Sequence, residues 1–373
     1  MLTLLLLVIV AALVFEFING FHDTANSIAT VVATKVLSPG QAVILAASMN
    51  LVGAFAGTAV AKTIASGLID AEVVNVTSQV ILCALSGAIV WNLITWWFGL
   101  PSSSSHALIG GLCGAALAAS GNDWHALVWS KLGDGGWTTN KGLLWKVVVP
   151  MVSSPVAGFT LGVLILGLLY AIIWALGKAG GRLGRMARPR WVNAFFGKAQ
   201  VVSAAYMGYA HGQQDAQKTM GIIALALFGA QQAGTLDALP SWLAFMHPGG
   251  GEADIDTWII ATCALVMAAG TATGGWRIIK TLGHKMVKLQ PIDGFAAETA
   301  SATILVGAAH FGMPVSTTHS ISTSIMGVGF GKNPRQLKLT VIERIVWAWI
   351  LTIPAAGGVA YLLLRVVEAA GWA

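Results

Sequence analysis

Two aspartates in otherwise apolar sequence, Asp23 and Asp215, belong to a polar segment that occurs twice in the chain. Gly20 to Asn26 (GFHDTAN) aligns with Gly212 to Lys218 (GQQDAQK) at an offset of 192 residues. Ionisable side chains inside apolar segments are costly and commonly mark an ion pathway. The sequence therefore predicts a cation site at both aspartates, with sodium as one candidate ion.

Other polar side chains in and around the two copies offer ligands of both signs. Amide oxygens can coordinate cations, and amide N–H groups can donate to oxyanions. We predict that Asn19 completes the cation site and that Asn26 and Gln214 bind an anion. Lys218 is predicted to join the anion ligands, and pairing with Asp215 is the alternative.

A second polar segment is also duplicated: Gly99 to His106 (GLPSSSSH) aligns with Gly312 to His319 (GMPVSTTH) at an offset of 213 residues. Proline is favoured at the first helical position, and hydroxyl residues cap helix starts. Helix N-termini bind anions through free N–H groups and the positive end of the helix dipole. Two such ends facing each other suit a tetrahedral oxyanion. The predicted anion ligands here are Ser103, Ser104, Ser105, Ser316, Thr317 and Thr318.

A further carboxyl group, Glu298, stands in another apolar segment. We predict that it takes part in cation coupling, because protonation of any of these carboxylates would couple the site to protons. The sequence leaves the choice between H+ and Na+ open. It also leaves the roles of several polar residues open between packing and function: Glu16, His22, His106, His211 and His319.

The elements that must position these residues are membrane helices. Hydrophobic residues make up 56% of the chain and charged residues only 10%, whereas soluble domains carry about 25% charged residues. Apolar runs such as 42–60 and 156–176 approach the roughly 20 residues that cross a bilayer as a helix. The net charge of +6 lies mainly in loops, which indicates membrane topology and no nucleic-acid partner. The sequence predicts an all-α integral membrane protein whose surface contacts the lipid bilayer.

The basic residues also predict an orientation. The segment 178–198 holds six Lys and Arg residues and no acidic residue, which places it in the cytoplasm by the positive-inside rule. The segment 231–254 contains no Lys or Arg and is predicted to lie outside. The segments 80–119 and 295–330 each form a pair that is either two full spans or a re-entrant hairpin. The sequence thus predicts a multi-pass protein of the cytoplasmic (inner) membrane with both termini outside.

The duplicated segments divide the chain into two repeats. Residues 1–178 are predicted to form the first, 179–198 a basic cytoplasmic linker and 199–373 the second. Each half makes an odd number of crossings, so the repeats must be antiparallel. Inverted repeats with polar interruptions at matching places are typical of secondary transporters with broken helices. Gly20 and Gly212 are expected to permit unwound backbone whose carbonyls ligate sodium.

At these motifs the chain resembles the inorganic phosphate transporter (PiT) family, and in particular its bacterial low-affinity members. The matching stretches span nearly the whole chain in order: NGFHDTANSIATVVAT (19–34), GLPSSSSHALIGG (99–111), HGQQDAQKTMG (211–221), GFAAETASA (294–302) and GMPVSTTHSISTSIMGVG (312–329). The resemblance implies cation-coupled phosphate import, two helical hairpins and a homodimer in some relatives. It also implies functional roles for Asp23, Asn26, Asp215, Glu298 and the two hydroxyl clusters.

Two positions bear on the identity of the cation. The second signature of the family usually has Asn before its Asp, whereas this chain has Gln214. The first signature has His22 at that place, as in many bacterial relatives.

The combined prediction is a secondary active transporter that imports inorganic phosphate by symport with H+ or Na+. A carrier of another tetrahedral oxyanion, sulfate or arsenate, is the nearest alternative, and a channel is a further one. An intramembrane hydrolase is disfavoured because the adjacent Ser105 and His106 would point in different directions on one helix. No enzyme activity, cofactor or metal is predicted beyond the candidate sodium at Asp23 and Asp215.

Overall fold

The computed structural model of the protein describes residues 2–66, 68–70, 73–74, 76–135, 139–249 and 255–371. Over these residues the regular structure is helical, apart from two isolated β-bridges. The α-helices are α1 (Leu2–Ala33), α2 (Pro39–Ala54), α3 (Ala59–Ser66), α4 (Ser78–Phe98), α5 (Ser104–Ala119), α6 (Val149–Ala179), α7 (Gly181–Met186), α8 (Pro189–Gln232), α9 (Thr257–Thr273), α10 (Trp276–Lys280), α11 (Pro291–His310), α12 (Thr317–Lys332) and α13 (Leu339–Ala369).

Several of these helices have the length and composition of membrane spans. In the described part of the chain, α1, α4, α13 and the unit Leu144–Ala179, in which a π-helical turn leads into α6, are long and apolar enough to cross a bilayer. Two helix pairs reach that length only together: α2 with α3 bends by 70°, and α9 with α10 and its following π-turn bends by 58°. The predicted all-α membrane protein with broken helices is confirmed.

The two repeats run in opposite directions. On the antiparallel pair α1 and α8, Glu16 contacts Thr219 at one end and Thr34 contacts Gln200 at the other. By contrast, α1 runs parallel to α9, and α8 runs parallel to α2. Each repeat therefore pairs its first helix with the bent pair of the other repeat, as inverted topology requires. The boundaries 1–178, 179–198 and 199–373 stay a prediction.

The paired segments form two helical hairpins, as the resemblance to the family implied, and their re-entrant insertion stays a prediction. One consists of α4 and α5, and the other of α11 and α12. Helices α5 and α12 have 16 residues each and are about 24 Å long at 1.5 Å per residue, which is shorter than a bilayer core of about 30 Å. Gly99 and Gly312 turn the chain at the hairpin tips with φ of +64° and +60°. Pro101 and Pro314, which follow them, are buried.

The predicted unwinding at Gly20 and Gly212 is wrong. Both glycines lie inside the continuous helices α1 and α8. A Cβ on Gly20 would lie 2.5 Å from the Met267 carbonyl oxygen, and one on Gly212 would overlap the Asn50 carbonyl. These glycines allow α1 to approach α9 and α8 to approach α2 closely. The breaks in the fold lie instead between α2 and α3 and between α9 and α10.

One further helix boundary differs from the sequence-based expectation, and α6 continues through Pro155 without a break. The helix α8 begins at Pro189, inside the segment predicted to be a linker, so that much of 179–198 is helical.

Candidate functional site

The N-termini of α5 and α12 meet in the interior of the protein. Ser103 and Ser316 are the N-cap residues, and their hydroxyls accept hydrogen bonds from the backbone N–H groups of His106 and His319 at 3.2 and 3.1 Å. The rings of the two histidines lie edge to face with centroids 4.8 Å apart. Both hairpins thus direct a helix start, with its free N–H groups and positive dipole end, toward one place.

Asp23, on α1, is buried at this meeting point. His22 Nδ1 lies 2.7 Å from its Oδ1, and the Ser104 hydroxyl donates to its Oδ2 at 3.0 Å. The Thr318 hydroxyl approaches Oδ1 at 3.4 Å. Among the residues that the structure describes, no lysine or arginine forms an ion pair with Asp23. Its carboxylate is therefore held by neutral hydroxyls and an imidazole.

Asp215, on α8, occupies the corresponding place in the second repeat but has a different neighbour. Lys218, one helical turn further along, donates to its Oδ1. The Thr317 hydroxyl donates to Oδ2 at 3.1 Å, and His211 Nε2 lies 3.1 Å from the same oxygen. The hydroxyls of Ser104 and Thr317, which are equivalent in the two repeats, therefore each contact the aspartate of their own repeat.

The residue three positions after each aspartate reaches the hairpin of the other repeat. Asn26 donates to the hydroxyls of Thr317 and Thr318 at 3.1 and 2.9 Å. Lys218 donates to the Ser105 hydroxyl and to the Val315 carbonyl, the latter at 3.2 Å. These crossed contacts join α1, α8 and both hairpin tips into one cluster. All the predicted anion ligands except Gln214 lie in it.

The cluster contains the atoms that a cation requires. Single ligand atoms of Asp23, His211 and Asp215 all lie within 4.8 Å of one another. The Oδ1 atom of Asn26 is buried and has no hydrogen-bond partner among the described residues. Carboxylate and amide oxygens suit a hard cation such as sodium. One cluster thus combines anion donors and cation ligands.

Glu298, on α11, lies outside this cluster. Its Oε1 accepts hydrogen bonds from Thr30 and Gln200, and its Oε2 accepts one from Ser203. Thr30 is seven residues beyond Asp23 on α1, which corresponds to about 10 Å along the helix. The carboxyl group is buried, and every partner named here is neutral. The structure thus places this predicted coupling residue in a separate pocket of its own.

Two other predicted ligands lie beside the cluster. Gln214 donates to the backbone carbonyls of Leu305 and Met313 at 3.2 and 3.1 Å, and so ties α8 to the second hairpin. Asn19 is buried on α1, one turn before Asp23, and its Oδ1 has no hydrogen-bond partner in the described part of the chain.

Comparison with known proteins decides the family. A sequence model described as the phosphate transporter family matches residues 19–360. The chain belongs to the phosphate transporter family. It is 42% identical over 370 residues to a probable low-affinity inorganic phosphate transporter of Bacillus subtilis, covering 98% of this chain and 99% of the relative. It is 43% identical over 354 residues to a protein of the same description from Rhizobium meliloti, covering 95% and 93%.

A solved structure has the same fold as this member of the phosphate transporter family. It is described as the sodium-dependent phosphate transporter, and it aligns with a TM-score of 0.78 over 98% of this chain and 99% of that chain. At 22% identity, this likeness concerns the arrangement of the helices alone. It agrees with the two hairpins and the bent helix pairs described above.

Several residues that surround the carboxylates of this phosphate transporter family member were not predicted from the sequence. Thr95 and Ser102 contact the ring of His22, and Gln200 and Ser203 contact Glu298. Ser102 belongs to the duplicated serine run, which gave a signal for it. Thr95, Gln200 and Ser203 come from other helices, and nothing in their local sequence marks them.

Proposed function

We propose that the protein imports inorganic phosphate across the cytoplasmic membrane by symport with a cation, H+ or Na+. The observation that supports this most directly is the convergence of the α5 and α12 N-termini on Asp23 and Asp215 in the buried centre of the fold. Helix N-termini with hydroxyl donors bind an oxyanion, and the carboxylates supply the negative charge for the cation that accompanies it. Membership of the phosphate transporter family and the names of the relatives support phosphate as the cargo.

The proposed roles divide the cluster by charge. The anion ligands are the hydroxyls of both hairpin tips together with amide groups: Ser103, Ser104, Ser105, Ser316, Thr317, Thr318, Asn26 and Gln214. For Lys218, which was predicted to join them, the structure favours the alternative, pairing with Asp215. The cation-coupling residues are Asn19, Asp23, Asp215 and Glu298. The hydroxyls of Ser104 and Thr317 donate to the aspartates. Binding of a cation to the carboxylates would free these hydroxyls to donate to the anion, and this exchange would couple the two ligands.

The acceptors in the cluster favour phosphate over sulfate. At neutral pH phosphate keeps at least one proton, which it can donate, whereas sulfate has none. Ionised carboxylates only accept hydrogen bonds. The carboxylates of Asp23 and Asp215 beside the hydroxyl donors would therefore accept from a protonated oxyanion and repel a fully ionised one. Arsenate shares the protonation of phosphate and is expected to compete with it.

A catalytic use of the cluster is disfavoured. Lys218, the side chain that could serve as a base toward the Ser105 hydroxyl, also pairs with the Asp215 carboxylate. This pairing competes with a catalytic role for its amino group. We infer that the protein is a transporter and not an enzyme.

The orientation is also proposed. The exposed basic residues between α6 and α8 are expected to face the cytoplasm, which puts both termini outside. A homodimer, which the resemblance to the family implies, stays a prediction.

Uptake by reconstituted protein tests the proposed function. Purified protein in liposomes should accumulate labelled phosphate when an inward gradient of sodium or of protons is imposed, and the two gradients are imposed separately. Unlabelled arsenate should compete with the label, and sulfate should not. Absence of gradient-driven uptake under both conditions, with the protein correctly inserted, would overturn the proposal. Uptake that dissipates every gradient without accumulation would indicate a channel.

A further inference from the structure

The two halves of the central cluster differ in one residue that carries a charge. The repeat alignment places Asp23 opposite Asp215, and three positions later it places Asn26 opposite Lys218. All four side chains are buried. The helices that carry them, α1 and α8, are continuous and antiparallel in this region. At this position the first repeat thus has a neutral amide and the second repeat has an ammonium group.

The Lys218 ammonium has the surroundings of a bound metal cation. Its contacts are three oxygens of three kinds: the Asp215 carboxylate, the Ser105 hydroxyl and the Val315 carbonyl. An ammonium group has three protons to donate, so this set satisfies it fully. The side chain is only 2% exposed. A buried charge of this kind is stable only when it is paired and hydrogen-bonded, and this one is.

Among the residues that the structure describes, no ammonium group pairs with Asp23 in the other half of the cluster. Asn26 uses its N–H groups on Thr317 and Thr318 and leaves its Oδ1 buried without a partner in the described residues. The basic group beside the Asp23 carboxylate is the imidazole of His22, at 2.7 Å. At the position three residues after the aspartate, the first repeat therefore has an open oxygen lone pair at Asn26, whereas the second repeat has the ammonium group of Lys218.

We propose that Lys218 is a tethered cation that permanently fills the half of the site belonging to Asp215. The exchangeable cation then binds on the other side, at Asp23 and the free Asn26 oxygen. Two carboxylates and one ammonium leave one negative charge, which one monovalent cation neutralises. The protein therefore transports one cation fewer per phosphate than it would if position 218, like position 26, held an asparagine. This inference rests on the proposed symport function.

The substitution Lys218→Asn tests the inference, because it gives the second repeat the residue of the first. The variant should gain a second exchangeable cation site, and each transport cycle should carry one more positive charge. The charge per phosphate is read from the membrane potential at which net flux of labelled phosphate into proteoliposomes stops, with fixed ion gradients and constant pH. For each extra positive charge carried, a membrane potential of about 59 mV raises the ratio of internal to external phosphate tenfold.

Two control variants make the result specific. Asp215→Asn combined with Lys218→Asn removes both charges of the pair and should return the charge per phosphate to the wild-type value. Lys332→Asn removes another lysine that pairs with a buried aspartate, Asp293, outside the cluster. It should leave the charge per phosphate unchanged.

Every outcome decides the inference. If Lys218→Asn transports phosphate with the wild-type charge, Lys218 does not replace a cation. If this variant does not transport, the thermal unfolding midpoint of the purified protein is measured with added sodium, with choline as the control, and with added acid. If the midpoint rises more steeply with added sodium or acid than in the wild type, the variant has gained a cation site. If both proteins respond equally, the inference is overturned. Failure of the wild type itself to transport phosphate would refute the proposed function, and the unfolding titration would then decide the inference alone.

Discussion

At the scale of single residues, the two central aspartates have unequal neighbours, and this has different consequences for their removal. Asp23 is held by hydroxyls and the imidazole of His22, whereas Asp215 is paired with the ammonium of Lys218. Removing one partner of a buried ion pair leaves an uncompensated charge and costs about 3–5 kcal/mol. A hydrogen bond to a charged group contributes less, about 1.5–3 kcal/mol, and an asparagine at position 23 keeps one side-chain oxygen that can accept such bonds.

We therefore expect both Asp23→Asn and Asp215→Asn to abolish coupled phosphate uptake, but only Asp215→Asn to lower stability strongly. Uptake into proteoliposomes at matched protein amounts and thermal unfolding in detergent measure the two effects. Lys218→Asn combined with Asp215→Asn should recover much of the lost stability, because it removes the unpaired charge. Near-normal uptake by both single variants would show that the carboxylates are structural.

The hydroxyls of Ser104 and Thr317 supply a second test at this scale. Each hydrogen bond to a charged partner contributes about 1.5–3 kcal/mol, so Ser104→Ala and Thr317→Ala should each raise the phosphate dissociation constant roughly ten- to a hundredfold. The double variant should bind more weakly still, with residual affinity from the helix N-termini. Calorimetric titration with phosphate at saturating cation measures this.

The matched control for these hydroxyls is Thr303→Ala. Thr303 is an exposed residue of α11 whose hydroxyl donates to the Thr299 carbonyl of the same helix. This variant should bind phosphate like the wild type. Unchanged affinity in the Ser104/Thr317 double variant would move the anion away from the helix ends.

At the scale of elements, close helix contacts place the residues of the cluster within reach of one another. Gly212 lies where α8 meets α2, and a Cβ there would overlap the Asn50 carbonyl. Overpacking of this kind costs about 1–3 kcal/mol, so Gly212→Ala should lower the thermal midpoint and weaken phosphate uptake. A Cβ on Gly197, on the same helix, would have no neighbour within 4 Å among the described residues.

Gly197→Ala is therefore the control, and it should leave the midpoint unchanged or raise it, since alanine is favoured over glycine in helices by about 1 kcal/mol. Thermal unfolding of the two purified variants in one detergent compares them. An equal midpoint for both would mean that the α8–α2 contact relaxes without cost.

The sequence predicts the hairpins and the central cluster because their signals are local and duplicated. Pro101 and Pro314 with their hydroxyl runs indicate helix starts, and the matching Asp23 and Asp215 indicate an ion site. Gly20 could not be assigned in the same way. A glycine that permits close helix contact and one at a helix break look alike in a single sequence, and the Met267 carbonyl that decides the matter is distant in the chain.

Contacts between distant segments escape the sequence for the same reason. Gln200 and Ser203 reach Glu298 only because α8 crosses α11 at this level. Neither residue belongs to a motif, and their positions on α8 carry no periodic signal that points to a carboxylate. The pocket of Glu298 therefore becomes visible only when the helices are packed.

At the scale of the whole molecule, the proposed orientation can be tested by labelling. Arg190 and Trp242 are exposed residues on opposite sides of the predicted topology. Of the three native cysteines, Cys83 and Cys263 are buried and Cys113 is partly buried, so single cysteines can be introduced with a low background. A membrane-impermeant maleimide should label Trp242→Cys in intact cells, and should label Arg190→Cys only after lysis. The reverse labelling pattern would show that the protein has the opposite orientation in the membrane.

The last helix of each repeat packs against the hairpin of the other repeat, and this arrangement has a consequence for synthesis. The last helix of the first repeat, α6, packs against α11 and α12, and the last helix of the chain, α13, packs against α4 and α5. Gly110 and Gly114 of the first hairpin touch the backbone of Ile353 and Gly357. As the ribosome makes the protein, the first hairpin is inserted long before the helix that covers it exists. Maturation must therefore wait for α13, and chains released before it is made are expected to be cleared by membrane proteases.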